Sequence, residues 1–457
     1  MSEIQTTNAM HVNKTRRMTP IFLAVFWLAG YLLLVLAPLL VLLIAPVPPG
    51  AGFWWDFSMA LGFAAMSMMS VQFLLTARFR RATAPFGIDI IYSFHRYLAV
   101  FTLCLIFLHY LIIRFDNAAA LGPLNPLEAS WHMTAGRVAL ALLMLIIVSS
   151  LWRKPLRIHY DPWRLLHIAL AVAIFLLALA HIEGVGYYID APIRHGLWTA
   201  YTAFWMLLII YVRLIKPWKM HKRPYRVAEV RQERGNNCWT LSLAPVGHSG
   251  MRFKPGQFAW LTLRASPWQI KEHPFSFSSS AARGDRVEFT IKGLGDFTCT
   301  INQTQVGEAA YLDGPYGIFS VDQYPAAPGF VFIAGGVGAA PIVSMLRTLA
   351  DRQDPRPLWF IYGNRCWDNV IFREELEALK ARLNLQVMHV LKEPPLDWAG
   401  ELGLITPALL QKVLPDNTRQ FEYFLCGPKP MSEAVQQGLH ALHVPLGKIH
   451  YELFDLV

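Results

Sequence analysis

Two long apolar segments, residues 88–115 and 159–182, each carry a pair of histidines 14 residues apart: His95 and His109, then His167 and His181. Fourteen residues are close to four turns of α-helix, so both imidazoles of a pair project from nearly the same side. They lie about 21 Å apart along the axis, which fits within a hydrocarbon core of about 30 Å. Two such helices side by side would present two facing histidine pairs at different depths of a membrane.

Apolar runs are confined to the first half of this 457-residue chain, whereas the second half has the charge of a soluble α/β protein. The mean hydropathy of +0.34 is typical of a membrane protein. The predicted apolar helices are residues 20–45, 57–77, 88–114, 134–152, 160–182 and 196–215. The first is too long for a signal-peptide core, so we expect it to remain as an anchor. We predict an all-α bundle of six transmembrane helices over residues 1–217.

Basic residues flank these segments unevenly, and the imbalance predicts their orientation. One side would hold Lys14, Arg16, Arg17, Arg78, Arg80, Arg81, Arg153, Lys154, Arg157, Arg213, Lys216, Lys219, Lys222 and Arg223. The other side holds chiefly Arg114, Arg137 and Arg194. By the positive-inside rule we expect both termini in the cytoplasm of a bacterial cell, with the bundle in the inner membrane. This topology also accounts for the net charge of +10, and no basic tract interleaved with aromatics indicates nucleic acid.

The two histidine pairs predict metal ligation. An intramembrane histidine can simply hydrogen-bond across a bundle, but four at matched spacing on two helices favour two bis-histidine haems. The predicted topology puts His95 and His167 at the inner level, and His109 and His181 at the outer level. The five cysteines form no C-x-x-C pair, which excludes a disulfide framework and a conventional zinc or iron–sulfur site.

Short alternating apolar runs after Pro217 predict an antiparallel β-barrel over residues 218–325. Within it, residues 273–279 (HPFSFSS) combine a proline, aromatics and hydroxyls, which suits a flat cofactor with a polar edge. Residues 292–298 (KGLGDFT) then offer glycines and a hydroxyl where a pyrophosphate could be held. Each motif alone could also be a solvent-exposed turn.

The pattern changes to strand–turn–helix from Gly329, and we predict an α/β nucleotide-binding domain with a parallel sheet over residues 326–457. A buried strand at 330–334 precedes a glycine turn at 335–338 and a helix at 339–350. Two further strands, 358–362 and 421–425, end in Gly-Asn-Arg and Cys-Gly-Pro. Special residues after three strands predict a ligand crevice at the carboxyl edge of the sheet.

Together these motifs resemble the NADPH oxidase and ferric reductase superfamily over nearly the whole chain. The resemblance implies a six-helix ferric-reductase-like domain with two b-type haems, followed by a ferredoxin–NADP reductase-like FAD and NAD(P)H dehydrogenase module. It implies FAD contacts from His273, Pro274, Phe275 and Ser276, and pyrophosphate contacts from the loop containing Lys292, Gly295 and Thr298. It implies nicotinamide-nucleotide contacts from Gly335, Gly336, Gly338, Pro341, Cys426, Gly427 and Pro428, with Phe454 stacked over the flavin. Ser276, Cys426 and Phe454 would lie closest to the hydride transfer.

Two departures from the family pattern bear on these roles. His273 stands where many soluble relatives have arginine, and the sequence continues three residues beyond Phe454. No EF-hand loop or regulatory extension is visible, so we expect a constitutive enzyme without a regulatory subunit. Arg365 directly follows the second strand of the parallel sheet, where arginine suits a ribose 2′-phosphate, and this favours NADPH over NADH.

The order of cofactors predicts the direction of electron flow: cytoplasmic NADPH, FAD, inner haem, outer haem and an acceptor outside. Small molecules, either O2 or a ferric chelate, are the expected acceptors, and the lack of a metal-binding cluster in the outer loops favours O2. Arg114, Arg137 and Arg194 would either pair with haem propionates and lipid phosphates or draw an anion to the outer haem. The alternatives are an electron-relay subunit that feeds a quinone or protein, and a soluble-type reductase that is merely anchored in the membrane.

Overall fold

The computed structural model describes residues 20–42, 49–79, 88–235 and 237–452. Its first part consists of the long helices α1 (Pro20–Leu42), α2 (Phe53–Thr76), α3 (Ile88–Asp116), α4 (Trp131–Leu151), α5 (Tyr160–Val185) and α6 (Pro192–Ile210). Five of them, α2 to α6, are long and apolar enough to cross a membrane, and α1 contains a shorter apolar stretch, Val25–Val41. The end of the first predicted segment and Lys14, Arg16, Arg17, Arg80, Arg81 and Phe454 lie outside the described residues.

The sixth predicted segment differs most from the observed helix. The helix begins at Pro192, four residues earlier than predicted, because proline suits the first turn, where no N–H donor is needed. It continues beyond Ile210 through a π-helical turn, Tyr211–Ile215, into α7 (Lys216–His221). This extension takes the chain directly from the bundle to the sheet domain, where the His221 ring meets Trp268 and Tyr311.

In the bundle, α2 packs along α3 and α4 packs along α5. The side chains of Phe63, Met66, Ile147, Phe175 and Trp205 are among those buried between the helices. The two histidine-bearing helices, α3 and α5, line opposite parts of a common apolar cavity. The bundle therefore leaves space between the helices that carry the histidine pairs.

An antiparallel six-stranded sheet follows, with strand order β4-β3-β6-β1-β2-β5. Its strands are β1 (Tyr225–Gln232), β2 (Cys238–Pro245), β3 (Phe258–Leu263), β4 (Glu272–Ser276), β5 (Val287–Lys292) and β6 (Ala309–Tyr316). An isolated bridge between Phe277 and Phe289 brings the exit of β4 against β5. Leu241, Leu261 and Ile301 are fully buried between the strands.

The last part is a six-stranded parallel sheet in the order β10-β9-β8-β7-β11-β12. The strands are β7 (Phe330–Gly335), β8 (Leu358–Asn364), β9 (Leu385–Leu391), β10 (Glu401–Leu402), β11 (Glu422–Cys426) and β12 (Ile449–Glu452). The helices are α8 (Ala339–Asp351), α9 (Arg373–Lys380), α10 (Pro407–Val413) and α11 (Lys429–Ala441). The predicted strand–glycine turn–helix unit is thus present, and β7 lies between β8 and β11 as a ligand crevice requires.

Candidate cofactor sites

The pair predicted at the outer level, His109 and His181, is oriented by backbone carbonyls. Nδ1 of His109 lies 2.8 Å from the carbonyl oxygen of Ser58, and Nδ1 of His181 lies 2.9 Å from that of His132. A carbonyl oxygen can only accept, so each Nδ1 carries the proton and each Nε2 keeps its lone pair. This is the arrangement that a metal-binding imidazole needs.

Both outer imidazoles line one apolar cavity, and two glycines make room for them. A Cβ at Gly62 would lie 3.4 Å from Cε1 of His109, and a Cβ at Gly136 would lie 2.9 Å from Nδ1 of His181. Side chains at these positions would therefore press on the rings. A cavity with an apolar lining and two oriented imidazoles fits a haem.

The pair predicted at the inner level consists of His95 on α3 and His167 on α5, whose rings face each other. The ring centroids of His95 and His167 lie 6.3 Å apart, which leaves room for one metal bonded to both at about 2 Å. Ser150 Oγ lies 3.4 Å from Nδ1 of His167, and Trp163 packs 5.0 Å from the same ring. Nδ1 of His95 has no hydrogen-bond partner among the described residues. These residues also fit a bis-histidine haem.

The three outer arginines have different environments. Arg137 lines the outer cavity and donates to the carbonyl oxygens of Leu121 (2.6 Å) and Pro123 (2.7 Å), so it holds the loop after α3 in place. Arg194 is only 5% exposed, and its Nε and Nη1 lack hydrogen-bond partners within the described residues. Arg114 is exposed. Only Arg194 therefore combines burial with unsatisfied donors.

Strand β4 presents the residues predicted to contact FAD. The His273 ring stacks on Phe297 with ring centroids 4.0 Å apart, and Phe275 lies 6.1 Å from the same ring. Ser276 is 5% exposed, and its Oγ has no partner in the part of the chain that the structure describes. Pro274 sits between them and offers no N–H. An unsatisfied hydroxyl beside aromatic rings fits the polar edge of a flavin.

The loop after β5 is closed by its own threonine. Oγ1 of Thr298 accepts hydrogen bonds from the amides of Leu294 (2.9 Å) and Gly295 (2.8 Å). Two of the amides expected to face a pyrophosphate are thus already satisfied. Lys292 lies at the start of this loop and lines the cleft at the carboxyl edge of the parallel sheet.

The glycine turn and the Cys-Gly-Pro segment meet in a cleft, as predicted from the strand ends. A Cβ at Gly338 would collide with the carbonyl oxygen of Cys426, and a Cβ at Gly427 would lie 3.0 Å from the Gly335 amide nitrogen. Gly335, Gly336, Gly338, Asn364, Arg365, Gly427 and Pro428 all line this cleft. Pro341 is buried in the first turn of α8 and is not among the lining residues. Close backbone approach therefore explains Gly338 and Gly427, whereas Gly336 has a positive φ of 54° that favours glycine.

Cys426, which is not among the lining residues, and Arg365, which is, both differ from a simple expectation. Cys426 is fully buried, and burial raises the pKa of its thiol well above the usual range, so the sulfur is a neutral thiol. Nε of Arg365 lies 3.0 Å from both carboxylate oxygens of Glu393, and its side chain is 72% exposed. The sequence analysis missed Glu393, because nothing local links residues 28 positions apart.

Sequence reasoning also missed Ser58 and His132 as partners of the outer histidines. His132 acts through its main-chain oxygen, which every residue has, so its side chain gave no signal. Ser58 also brings its hydroxyl within 3.0 Å of Nδ1 of His109, but the two residues are 51 positions apart and no local pattern links them. Within the described residues, no group of three or more His, Cys, Asp or Glu side chains forms a metal site. The histidine pairs are therefore the metal-binding candidates there.

Three protein families match the chain: a ferric reductase-like transmembrane component (residues 61–178), an FAD-binding domain (240–320) and an oxidoreductase NAD-binding domain (332–437). The first lies within the helical bundle, the second spans most of the antiparallel sheet, and the third spans the strands of the nucleotide cleft. All three matches are to redox components.

Curated relatives match about half of this chain, and the chain spans less than two thirds of their length. The propane 2-monooxygenase reductase component of Mycolicibacterium smegmatis is 33% identical over 47% of this chain and 63% of its own length. The glycine betaine monooxygenase reductase subunit of Chromohalobacter salexigens is 32% identical over 44% and 56%, respectively. The FAD/NAD-binding domain of a Vibrio cholerae nitric oxide dioxygenase superposes with a TM-score of 0.44 at 24% identity, over 50% of this chain and 98% of that domain.

Proposed function

Since the chain is a ferric reductase/NADPH oxidase-like oxidoreductase, with a transmembrane component fused to a ferredoxin–NADP reductase-like module, we propose a complete transmembrane route for its electrons. The route runs from cytoplasmic NADPH through FAD, an inner b haem and an outer b haem to an acceptor on the outer face. The observation that carries it is the placement of two histidine pairs, His95 with His167 and His109 with His181, between the same two helices.

The position of the flavin strand supports this order. Arg164 stands three residues before His167 on α5 and donates to the carboxylate of Glu272, the residue directly before His273. The predicted FAD residues are therefore connected to the level of the inner histidine pair. Bound FAD takes up a hydride and releases its electrons singly, and each haem accepts one electron.

The chain's own residues orient these groups and keep water away. The carbonyl oxygens of Ser58 and His132 fix the outer rings with Nε2 directed away from the hydrogen bond. His109 and His181 would together ligate the outer haem iron, which would then supply outer-sphere electron transfer to the acceptor. The apolar cavity lining lowers the local dielectric around the outer pair.

At the flavin, Phe275 and His273 would contact the ring system, Pro274 would stiffen the strand and the Ser276 hydroxyl would donate to the flavin edge. The residues proposed to contact the nicotinamide nucleotide are Gly335, Gly336, Gly338, Pro341, Cys426, Gly427 and Pro428. The residues proposed to contact the FAD pyrophosphate are Lys292, Gly295 and Thr298. Arg365 keeps its two Nη groups for a 2′-phosphate, because Glu393 engages only its Nε. The stacking role of Phe454 stays a prediction.

For the acceptor we propose O2, which would be reduced to superoxide. The burial of Arg194 favours a small anion such as superoxide as its partner, because a bulky ferric chelate would not reach a residue that is only 5% exposed. The alternatives remain a ferric reductase and an electron-relay subunit for a quinone or protein. We also propose that α1 completes a six-span bundle in a bacterial inner membrane, with the dehydrogenase part cytoplasmic, and that the antiparallel sheet closes into a barrel.

The test uses purified protein loaded with haem and FAD and supplied with NADPH. Oxygen uptake with superoxide-dismutase-sensitive dye reduction is the expected result. The same preparation is then given ferric chelates under anaerobic conditions. Negligible oxygen uptake beside rapid iron reduction would establish a ferric reductase, and turnover only after a quinone or protein is added would establish a relay subunit.

A further inference from the structure

A network of buried charges joins the helical bundle to the antiparallel sheet. Glu272 on β4 accepts from Arg78, which follows α2, with Nη2 and Oε1 2.6 Å apart. It also accepts from Arg164 on α5. Asp313 on β6 pairs with Lys216 at the start of α7 at 2.8 Å and lies 3.7 Å from Arg78. Three cations from three helical elements therefore converge on two carboxylates of one sheet.

Aromatic rings enclose these charges, and Nη1 of Arg78 has no hydrogen-bond partner among the described residues. The Arg78 guanidinium lies 4.4 Å from the Trp260 ring centroid. The Tyr316 hydroxyl donates to Asp313 at 2.7 Å and lies 3.2 Å from Nζ of Lys216. The side chains of Arg78, Glu272 and Asp313 are 8–12% exposed. An ion pair this deeply buried requires both partners in place, because loss of either one leaves an unpaired buried charge.

The Arg78–Glu272 pair keeps both of its charges over the physiological pH range. Burial alone raises the pKa of the Glu272 carboxyl, but Arg78 and Arg164 outweigh this effect and hold it at about 2. The pKa of Arg78 is raised, because Glu272 and Asp313 overcome the opposing effect of burial. The Arg78–Glu272 contact is thus a permanent ion pair rather than a pH-dependent latch.

The location of Glu272 connects the network to both proposed cofactor regions. Its neighbour in the chain is His273, the first of the proposed flavin residues, and its partner Arg164 lies one helical turn before His167. Backbone carbonyls of Ile270 and Glu272 also accept from Arg164, both at 3.3 Å. Through one arginine, the network fixes β4 to the helix that carries the inner histidine.

We propose that Glu272 and Asp313 are positioning residues, which lock the flavin strand against the bundle and so set the rate of electron transfer from flavin to the inner haem. This inference rests on the proposed electron route, and it assigns these two carboxylates no contact with either cofactor. One electron moves per step between the two groups, and no bond is formed or broken. A change of spacing therefore affects this step, whereas hydride uptake at the flavin is left alone.

The main experiment compares full-length, cofactor-loaded wild type with Glu272→Gln, Arg78→Gln and the double variant. Anaerobic stopped-flow mixing with NADPH measures the rate of flavin reduction and the rate of haem reduction separately. We expect haem reduction to slow by roughly tenfold or more in each single variant, as for loss of one buried ion-pair partner. The double variant should be no slower than the worse single variant, because both break the same contact.

The second readout is amide hydrogen exchange of β4 and of the end of α2, which requires no turnover. Faster exchange at both segments is expected in Glu272→Gln. Glu401→Gln is the matched control, because Glu401 pairs with Lys412 at 2.9 Å on the surface of the same half. This control should leave both the rates and the exchange pattern unchanged.

The proposal would be overturned if Glu272→Gln changed neither amide exchange nor the rate of haem reduction. It would also be overturned if flavin reduction slowed as much as haem reduction, or if bound FAD was lost. If Glu272→Gln does not assemble, Lys216→Gln tests the Asp313 arm by the same two measurements. Failure of the wild type to reduce its haems would instead refute the proposed electron route. The exchange comparison would still decide whether the two carboxylates lock the strand.

Discussion

The membrane half and the soluble half place their candidate cofactor residues in opposite ways. In the bundle, each of two helices supplies two histidines at one interval, so helical geometry alone aligns both pairs. In the soluble half, the nucleotide cleft collects single short segments from the ends of β7, β8 and β11, which lie up to about a hundred residues apart. The first arrangement depends on helix register, and the second depends on strand order.

The difference has a consequence for how each half tolerates change. His109 and His181 each have one ring nitrogen held by a backbone carbonyl, so their environment is set by main-chain positions. In the cleft, glycines allow backbones to approach, and charged side chains such as Arg365 and Glu393 remain exposed. We therefore expect all-or-none effects at the histidine ligands themselves and graded effects in the cleft.

The largest expected effect is loss of haem on substitution of a ligand. His95→Ala or His167→Ala should remove the inner haem, and His109→Ala or His181→Ala the outer one. Haem content and the reduced-minus-oxidised spectrum of each variant measure this. His132→Ala is the matched control: its carbonyl oxygen remains for His181, so both haems should be retained. Full two-haem occupancy in any of the four ligand variants would refute the assignment.

The histidine spacing was sufficient to predict the facing pairs, because a helix converts sequence interval into direction. The strand–turn–helix at Gly335 and the crevice at three strand ends were also predictable from local patterns. The buried network was not: Arg78 and Glu272 are 194 residues apart, and Arg78 was interpreted only as a topology charge. Long-range pairing of charges depends on docking between domains, for which a single sequence carries no local signal.

A smaller effect in the bundle is expected at the glycines beside the outer histidines. In Gly136→Ala the new methyl would lie 2.9 Å from Nδ1 of His181, where this nitrogen donates to His132. Outer-haem affinity should fall roughly 10- to 100-fold, as for loss of a ligand's supporting hydrogen bond. Gly62→Ala, with 3.4 Å to His109, should have a weaker effect. Haem titration measures both.

Gly30→Ala is the control for this pair, because a Cβ at Gly30 would meet nothing within 4 Å. Its haem affinity should equal that of the wild type. If the haem affinity of Gly136→Ala equals that of Gly30→Ala, the His181 ring is not held tightly by its surroundings. The expected contrast between the bundle and the nucleotide cleft would then fail.

In the soluble half, a graded pH effect is expected at His389 on β9. Its ring packs near Tyr362 and Trp367, and neither nitrogen has a partner among the described residues. Burial, assisted by Lys380, lowers its pKa to about 4. The unfolded chain binds the extra proton below about pH 6.5, so the free energy of unfolding should fall by about 2 kcal/mol as the pH falls from 6.5 to 4.

His389→Phe should remove this pH dependence of the free energy of unfolding, because phenylalanine fits the aromatic surroundings and does not titrate. Amide hydrogen exchange of β8 and β9 in the full-length protein, corrected for intrinsic rates, measures the change between pH 7 and 5. His440→Phe, on the exposed surface of α11, is the control. An acid response of β9 that is identical in wild type and His389→Phe would contradict this prediction.

The smallest expected effect separates the two nucleotides. Arg365 and Glu393 form one exposed ion pair in which the carboxylate engages only Nε of the arginine. Arg365→Ala removes the group proposed to face a 2′-phosphate, so the ratio of kcat/KM for NADPH over NADH should fall a few-fold. Glu393→Gln removes a nearby negative charge that repels the same phosphate, so the ratio should rise. Opposite shifts identify Arg365 as the discriminating group, whereas no shift in either variant would leave the arginine as a surface residue and place nucleotide selection elsewhere in the cleft.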